Sequence, residues 1–302
     1  MEVQSAMTKR KNLTPYLYIA PFFIGYLVFS LYPTLYALVL SFYNWDGMRP
    51  KVFVGLDNYV SVLSSKYFWH SILVSLKFVL TGPITTLIAL VIAVLLNNKI
   101  IRYANFFKFA YFLPYITMPV AIGVLFSVLL GWDYGLINRI LMSLGLLGEA
   151  INWRGESQYV FFCITLVVVW KYFGYHMIIY LGGLQSISPE LYEAATIDGA
   201  SSAQSFWNIT LPSIKPYVIF LLITSISGGI NLFDEPMMLY GASGGSGGAA
   251  QNAGMFIYST TFVNNRWGYG SSVSFVVFCI ISILSVIFYK INYWNGMEGE
   301  LK

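Results

Sequence analysis

Long apolar stretches alternate with short polar ones along the whole of this chain. The apolar runs fall at residues 16–42, 72–96, 107–130, 159–181, 217–240 and 273–289. About twenty apolar residues carry an α-helix across a bilayer, so the pattern predicts an all-α, polytopic membrane protein of six spans forming one domain. Proline interrupts three of the runs, at Pro21 and Pro33, at Pro83, and at Pro114 and Pro119. Neighbouring helices are expected to satisfy the backbone carbonyls these prolines free.

One polar island, residues 185–215, separates the fourth and fifth runs. Ser188-Pro189 reads as a helix start, with serine as N-cap and proline in the first turn. Glu190 and Glu193 follow where negative charge suits the helix dipole. Gly199 can stop that helix by adopting a positive φ. Ser201 and Gln204 have capping-box spacing for a second short helix, and Pro212 and Pro216 fix its exit. The expected product is a helix–turn–helix lying outside the apolar slab. Ala194 and Ala195 leave the helix backbone open to close approach, and Glu193 offers a charge to a basic partner. An ordinary capped surface loop fits the same spacing.

Composition agrees with the pattern. Of 302 residues, 57% are hydrophobic and only 10% charged, against about 25% charged in soluble domains. The net charge of +4 suits contact with anionic lipid, and nothing points to nucleic acid. Cys163 and Cys279 sit in apolar runs and read as small core residues. His70 and His176 have no second ligand at metal spacing. The apolar run after the basic Lys9-Arg10-Lys11 exceeds a signal-peptide core and lacks a small-residue cleavage site, so it reads as a retained span.

Lysine and arginine set the expected orientation. With the N-terminus inside, the cytoplasmic side holds Lys9, Arg10, Lys11, Lys99, Arg102, Lys108, Lys215, Lys290 and Lys302; the outer side holds Arg49, Lys51, Lys66, Arg139, Arg154 and Arg266. The bias is modest. It places both termini and the 185–215 island in the cytoplasm.

No phosphate-cradling Gly-x-x-x-x-Gly-Lys-Ser/Thr occurs, and two isolated histidines support no nucleophilic triad. Intramembrane polar groups are therefore the candidates for function, since a mid-bilayer charge costs about 2.5–3.5 kcal/mol. Lys171 lies deep in the fourth run and is expected to serve a solute path or subunit pairing. Lys77 lies near enough to the start of its run to snorkel. The glycine-rich stretch Gly241 to Gly248 reads as a flexible linker.

The ordered set Glu193-Ala194-Ala195, Asp198-Gly199-Ala200 and Ile209-Thr210-Leu211-Pro212 resembles the cytoplasmic "EAA loop" of ABC importer permeases. Further stretches resemble the carbohydrate branch of that family, the maltose-type or multiple-sugar-type first permease. They are Val54-Gly55-Leu56-Asp57-Asn58-Tyr59, Phe112-Leu113-Pro114, Tyr134-Gly135-Leu136-Ile137-Asn138, Trp170, Phe233-Asp234 and Gly244-Gly245. The resemblance runs from about Tyr16 to Tyr289. One departure is Ser246, where the family usually has proline, which puts the rigidity of that outer segment in question.

The resemblance implies a transporter subunit, not an enzyme, in a bacterial or archaeal cytoplasmic membrane. It implies that residues 185–215 dock as a coupling helix in a cleft of a separate ATPase, where the glutamate pairs with a basic residue. ATP and Mg would be bound by that ATPase, and no cofactor by this chain. The implied partners are a second homologous permease, an ABC ATPase dimer, an external solute-binding protein and a sugar or oligosaccharide, within membrane lipid. Aligning on the same motifs brings Tyr115, Lys171, Tyr172, Tyr175 and Ser225 onto sugar-contacting positions, with Asn231 and Asp234 nearby. Alternatives are an importer of another solute such as glycerol phosphate, a secondary transporter or channel working without an ATPase, and a structural subunit that lines no path.

Overall fold

The computed structural model describes residues 14–97 and 103–300. Lys9, Arg10, Lys11, Lys99, Arg102 and Lys302 of the charge argument lie outside the described residues. The chain opens with α1 (Thr14–Tyr26), a π turn (Leu27–Leu31) and α2 (Tyr32–Leu40), which together leave most of their apolar surface uncovered by the rest of the chain. A two-stranded antiparallel hairpin, β1 (Tyr43–Asn44) with β2 (Val52–Phe53), follows, and then α3 (Asp57–Leu63).

The second long apolar segment consists of α4 (Lys66–Val79) and α5 (Thr81–Asn97). Next come α6 (Ala104–Ile116), α7 (Pro119–Leu129), α8 (Leu136–Ser143) and the central α9 (Val160–Gln185). Two short helices, α10 (Pro189–Ile197) and α11 (Ser202–Ser205), lead through a π turn into α12 (Leu211–Ile230). The chain ends with α13 (Asp234–Tyr240), α14 (Ala253–Tyr258) and α15 (Trp267–Glu300). Among the described residues, five helices are long and apolar enough to cross a membrane, or six if the bent pair α6–α7 forms one span.

That pair divides the third apolar run, 107–130, into two helices. The axes of α6 and α7 meet at 97°. The ring of Pro119 pushes Met118, the residue before it, out of helical geometry (ψ 134°), and Thr117 is also extended (ψ 139°). The fifth run, 217–240, also differs from the single helix expected: α12 ends at Ile230 and α13 begins only at Asp234. The carbonyls freed there are satisfied from other elements. Ser75 Oγ donates to Ile230 O at 3.3 Å, and the Asn252 amide donates to Leu232 O. Ser75 Oγ also accepts from Ala253 N at 2.8 Å, so three segments share one buried polar clasp.

α9 is the axis of the molecule, packing against α4, α5, α6, α12 and α13. Small residues set these distances, as is usual between membrane helices. A Cβ added at Gly174 would lie 1.8 Å from the Tyr111 carbonyl oxygen of α6, and one at Gly229 of α12 would lie 2.7 Å from Val79 Cα. One apolar cluster packs around the first half of α9 with α7 and α13; another joins its second half to α5, α10 and α12; a third joins α4, α14 and α15.

On two short helices, α8 and α3, motif residues act as clamps. Asn138 is buried and donates to the carbonyls of Trp132 (2.9 Å) and Ile151 (2.8 Å), while its Oδ1 accepts from Trp153 Nε1 at 2.7 Å. Asn58 donates to the carbonyls of Ser41 and Tyr43 at 2.8 and 3.0 Å. The glycine run is not a loose linker. Gly244 N donates to Gly241 O, Gly248 N to Gly245 O and Ala250 N to Gly244 O, at 2.9–3.1 Å. Gly245 has φ +71°, and a Cβ there would lie 2.8 Å from the Tyr240 ring, so glycine is needed for a tightly wound turn.

Candidate functional site

A cavity of about 170 Å³ lies where α5, α6, α9 and α12 meet. α9 contributes Val168, Tyr172, Tyr175 and His176, whose i, i+4, i+7, i+8 spacing puts them on one helix face. α5 contributes Thr81 and Thr85, and α12 contributes Thr224, Ser225, Gly228 and Gly229. Tyr115 enters from the last turn of α6, just before the break that ends that helix. The glycines bring backbone to the cavity wall without side-chain bulk.

Four of the seven expected path residues therefore meet: Tyr115, Tyr172, Tyr175 and Ser225. Tyr115 and Tyr175 stack with ring centroids 4.7 Å apart and planes at 14°, while Tyr172 meets Tyr115 edge-on at 5.9 Å. This gathers aromatic rings and hydroxyls around one small volume. Thr86 Oγ1 and His176 Nδ1 share a hydrogen bond at 3.1 Å, which steadies the imidazole in the wall.

Lys171, Asn231 and Asp234 do not line the cavity. Lys171 is 5% exposed, and its Nζ donates to Glu235 Oε1 at 2.6 Å. The same oxygen accepts from Tyr172 OH at 3.3 Å. The lysine is thus paired within its own chain with a partner 64 residues away. Asn231 and Asp234 are exposed at the break between α12 and α13.

The sequence reading missed Glu235, His176, the paired threonines and the cavity glycines. Glu235 carries a signal in principle, since a charge within the fifth run must find a counter-ion. His176 reads from the sequence only against metal-ligand spacing and a nucleophilic triad. Among the described residues, no group of three or more His, Cys, Asp or Glu side chains is placed to hold a metal ion.

The second candidate region is α10 and its surroundings. Ser188 Oγ accepts from Glu190 N at 3.3 Å, and Pro189 opens the helix. Gly199 has φ +78°, and Ala200 N donates back to Ala195 O at 2.8 Å, closing the C-terminus with a glycine cap. Ser201 and Gln204 form the reciprocal capping box, at 2.8 and 3.3 Å. Tyr192 OH lies 2.8 Å from Thr210 Oγ1, tying α10 to the foot of α12.

Glu193, Ala194, Asp198 and Gly199 are exposed, and Ala195 and Ala200 half-buried. Ile209 and Leu211 turn inward onto the apolar cluster of α5, α9 and α12, while Pro212 opens α12 at the surface. The motif is therefore split, one half displayed and the other anchored. Leu191, Trp207 and the 86%-exposed Ile197 add apolar surface near Glu193.

Residues 83–294 match the family described as the binding-protein-dependent transport system inner membrane component. The chain is 35% identical over 286 residues to the lactose transport system permease protein LacF of Rhizobium radiobacter, covering 94% of this chain and 95% of that one. It is 33% identical over 292 residues to the arabinooligosaccharides transport system permease protein AraP of Bacillus subtilis (strain 168), covering 96% and 91%. Among solved structures, it is similar to a chain of a bacterial alginate ABC transporter in complex with alginate pentasaccharide-bound periplasmic protein. The TM-score is 0.79 at 21% identity, with 92% and 93% of the two chains covered.

Proposed function

The chain belongs to the family of binding-protein-dependent transport system inner membrane components, and on that premise we propose that it is the permease subunit of an ATP-driven importer of a sugar or oligosaccharide. It is a multi-pass membrane protein and a transporter subunit; hydrolysis of ATP belongs to a separate subunit. The relatives LacF and AraP are named for lactose and arabinooligosaccharides, both saccharides.

The observation that carries the substrate class is the cavity between α5, α6, α9 and α12. Its wall offers stacked tyrosine faces, threonine and serine hydroxyls and one imidazole. The nearby lysine is neutralised by Glu235. Aromatic faces pack on the C–H faces of a sugar ring while hydroxyls exchange hydrogen bonds with its rim. A phosphate ester would instead call for a free cation in the wall, so the chemistry favours a neutral polyol over glycerol phosphate.

In this reading α10 is the coupling helix. Glu193, Ala194, Ala195, Asp198, Gly199 and Ala200 form the face that docks on the ATPase, and Ile209, Leu211 and Pro212 anchor that face to α12. Both termini and α10 face the cytoplasm. A second permease completes the path, and an external solute-binding protein delivers the cargo. The break between α12 and α13, with Asn231 and Asp234 exposed, lies beside the cavity and belongs to the same path.

A cysteine placed at Thr224 in the assembled importer tests the assignment. Alkylation of Thr224→Cys is expected to slow when the cognate saccharide is delivered, and to be unaffected by glycerol phosphate. Protection by glycerol phosphate alone would reverse the substrate class. Saccharide transport with no change in alkylation would remove the cavity from the path.

A further inference from the structure

We propose that the face of α4 around Lys77 is a binding site for an anionic glycerophospholipid. Two cavities, of about 350 and 290 Å³, share His70, Val74 and Lys77. The first is an apolar groove walled by Leu73, Leu76 and Leu80. The second adds polar groups from the start of α9, Ser157 and Gln158. Neither includes a residue of the transport cavity described above.

Lys77 is exposed on this face, and among the described residues no carboxylate lies within ion-pair distance of it. A lysine in an apolar span needs a counter-charge or a route to water. The contrast with Lys171, sealed against Glu235, is direct. Lys77 sits seven residues beyond His70, two turns further along the same face, or about 10 Å. His70 is itself held at the upper end of the site, its Nε2 3.3 Å from Gly248 O of the glycine turn.

An occupant of this site must therefore combine apolar chains with a negative group near their junction. A glycerophospholipid does so. One acyl chain lies along Leu73, Leu76 and Leu80, the phosphate meets Lys77 Nζ, and the headgroup reaches Ser157 and Gln158. The Gln158 amide also donates to Glu156 at 2.7 Å, which leaves its carbonyl oxygen to accept from a headgroup hydroxyl. That geometry favours phosphatidylglycerol over a trimethylated choline headgroup. The inference rests on reading α4 and α5 as a membrane span, not on the identity of the transported solute.

The test is native mass spectrometry of the assembled importer, titrated with dioleoyl phosphatidylglycerol or dioleoyl phosphatidylcholine. Wild type is expected to retain phosphatidylglycerol preferentially. Lys77→Met, which inserts more easily than lysine, should cut that retention about fivefold, the loss expected of one basic side chain at anionic lipid, and leave phosphatidylcholine unchanged. Lys77→Arg should keep it, and Leu76→Trp, which fills the groove, should lose both lipids. Equal retention by Lys77→Met and wild type would overturn the site. So would displacement of phosphatidylglycerol by soluble glycerol phosphate, or a cross-link from this face to the second permease that excludes lipid.

Discussion

Breaking the Lys171–Glu235 pair should unfold more of this protein than removing both charges. At 2.6 Å, and with an effective dielectric constant of about 20, the attraction is about 6 kcal/mol. Desolvating each ion costs several kcal/mol, so the pair as a whole is worth little against a well-packed apolar pair. A lone survivor is different. Lys171→Met leaves Glu235, 4% exposed, with Tyr172 OH as its remaining partner, and such orphaning costs about 3–5 kcal/mol.

The double variant Lys171→Met with Glu235→Leu should recover most of that loss. The assay is the thermal midpoint of the detergent-purified complex, read by size-exclusion after heating. Lys171→Met and Glu235→Leu should each lower the midpoint strongly, and the double variant should approach wild type. Recovered stability need not restore transport, because Tyr172 loses the carboxylate that orients it in the cavity wall. If the single variants are as stable as wild type, or the double variant is the least stable of the set, the reasoning about an orphaned charge is wrong.

Three other outcomes follow from the same geometry. Tyr175→Ala removes the stacked face opposite Tyr115 and should raise the KM for uptake more than it lowers stability; an unchanged KM in a proteoliposome assay would contradict this. Gly199→Val adds a Cβ that meets no neighbour within 4 Å, so its cost of about 1–2 kcal/mol is backbone strain alone. Gly199→Asn should therefore retain most stimulated ATP hydrolysis where valine loses it. Asn138→Ala orphans the buried Trp153 Nε1 and two carbonyls, and should destabilise by at least the ~1–3 kcal/mol of one unsatisfied group, measured as a lower thermal midpoint with cargo recognition unchanged.

What could be read from the sequence was local or collective. Helix caps at Ser188, Gly199 and Ser201 depend on partners a few residues away, so spacing alone located them. Apolar runs of twenty or more residues announce a membrane without any tertiary knowledge. The cavity tyrosines were reached through family motifs, not through chemistry visible in the chain. Long-range pairing was out of reach: Glu235 meets Lys171 across 64 positions, and Ser75 meets Ile230 across 155. Pro114 and Pro119 mark an interruption of the third run, but the 97° turn at Thr117-Met118 depends on where α7 can pack, against α13. The glycine run looked like a linker because its composition resembles one. Its positive-φ turns are held by hydrogen bonds that composition does not reveal.

The central claim is tested most directly by uptake into proteoliposomes holding this chain, its partner permease and the ATPase, with solute-binding protein and labelled oligosaccharide outside. Accumulation is expected only when ATP is enclosed and binding protein is present, and Ala195→Trp on the α10 face should abolish it while the binding protein still captures the sugar. Accumulation without nucleotide, or full uptake by the Ala195→Trp complex, would contradict the account.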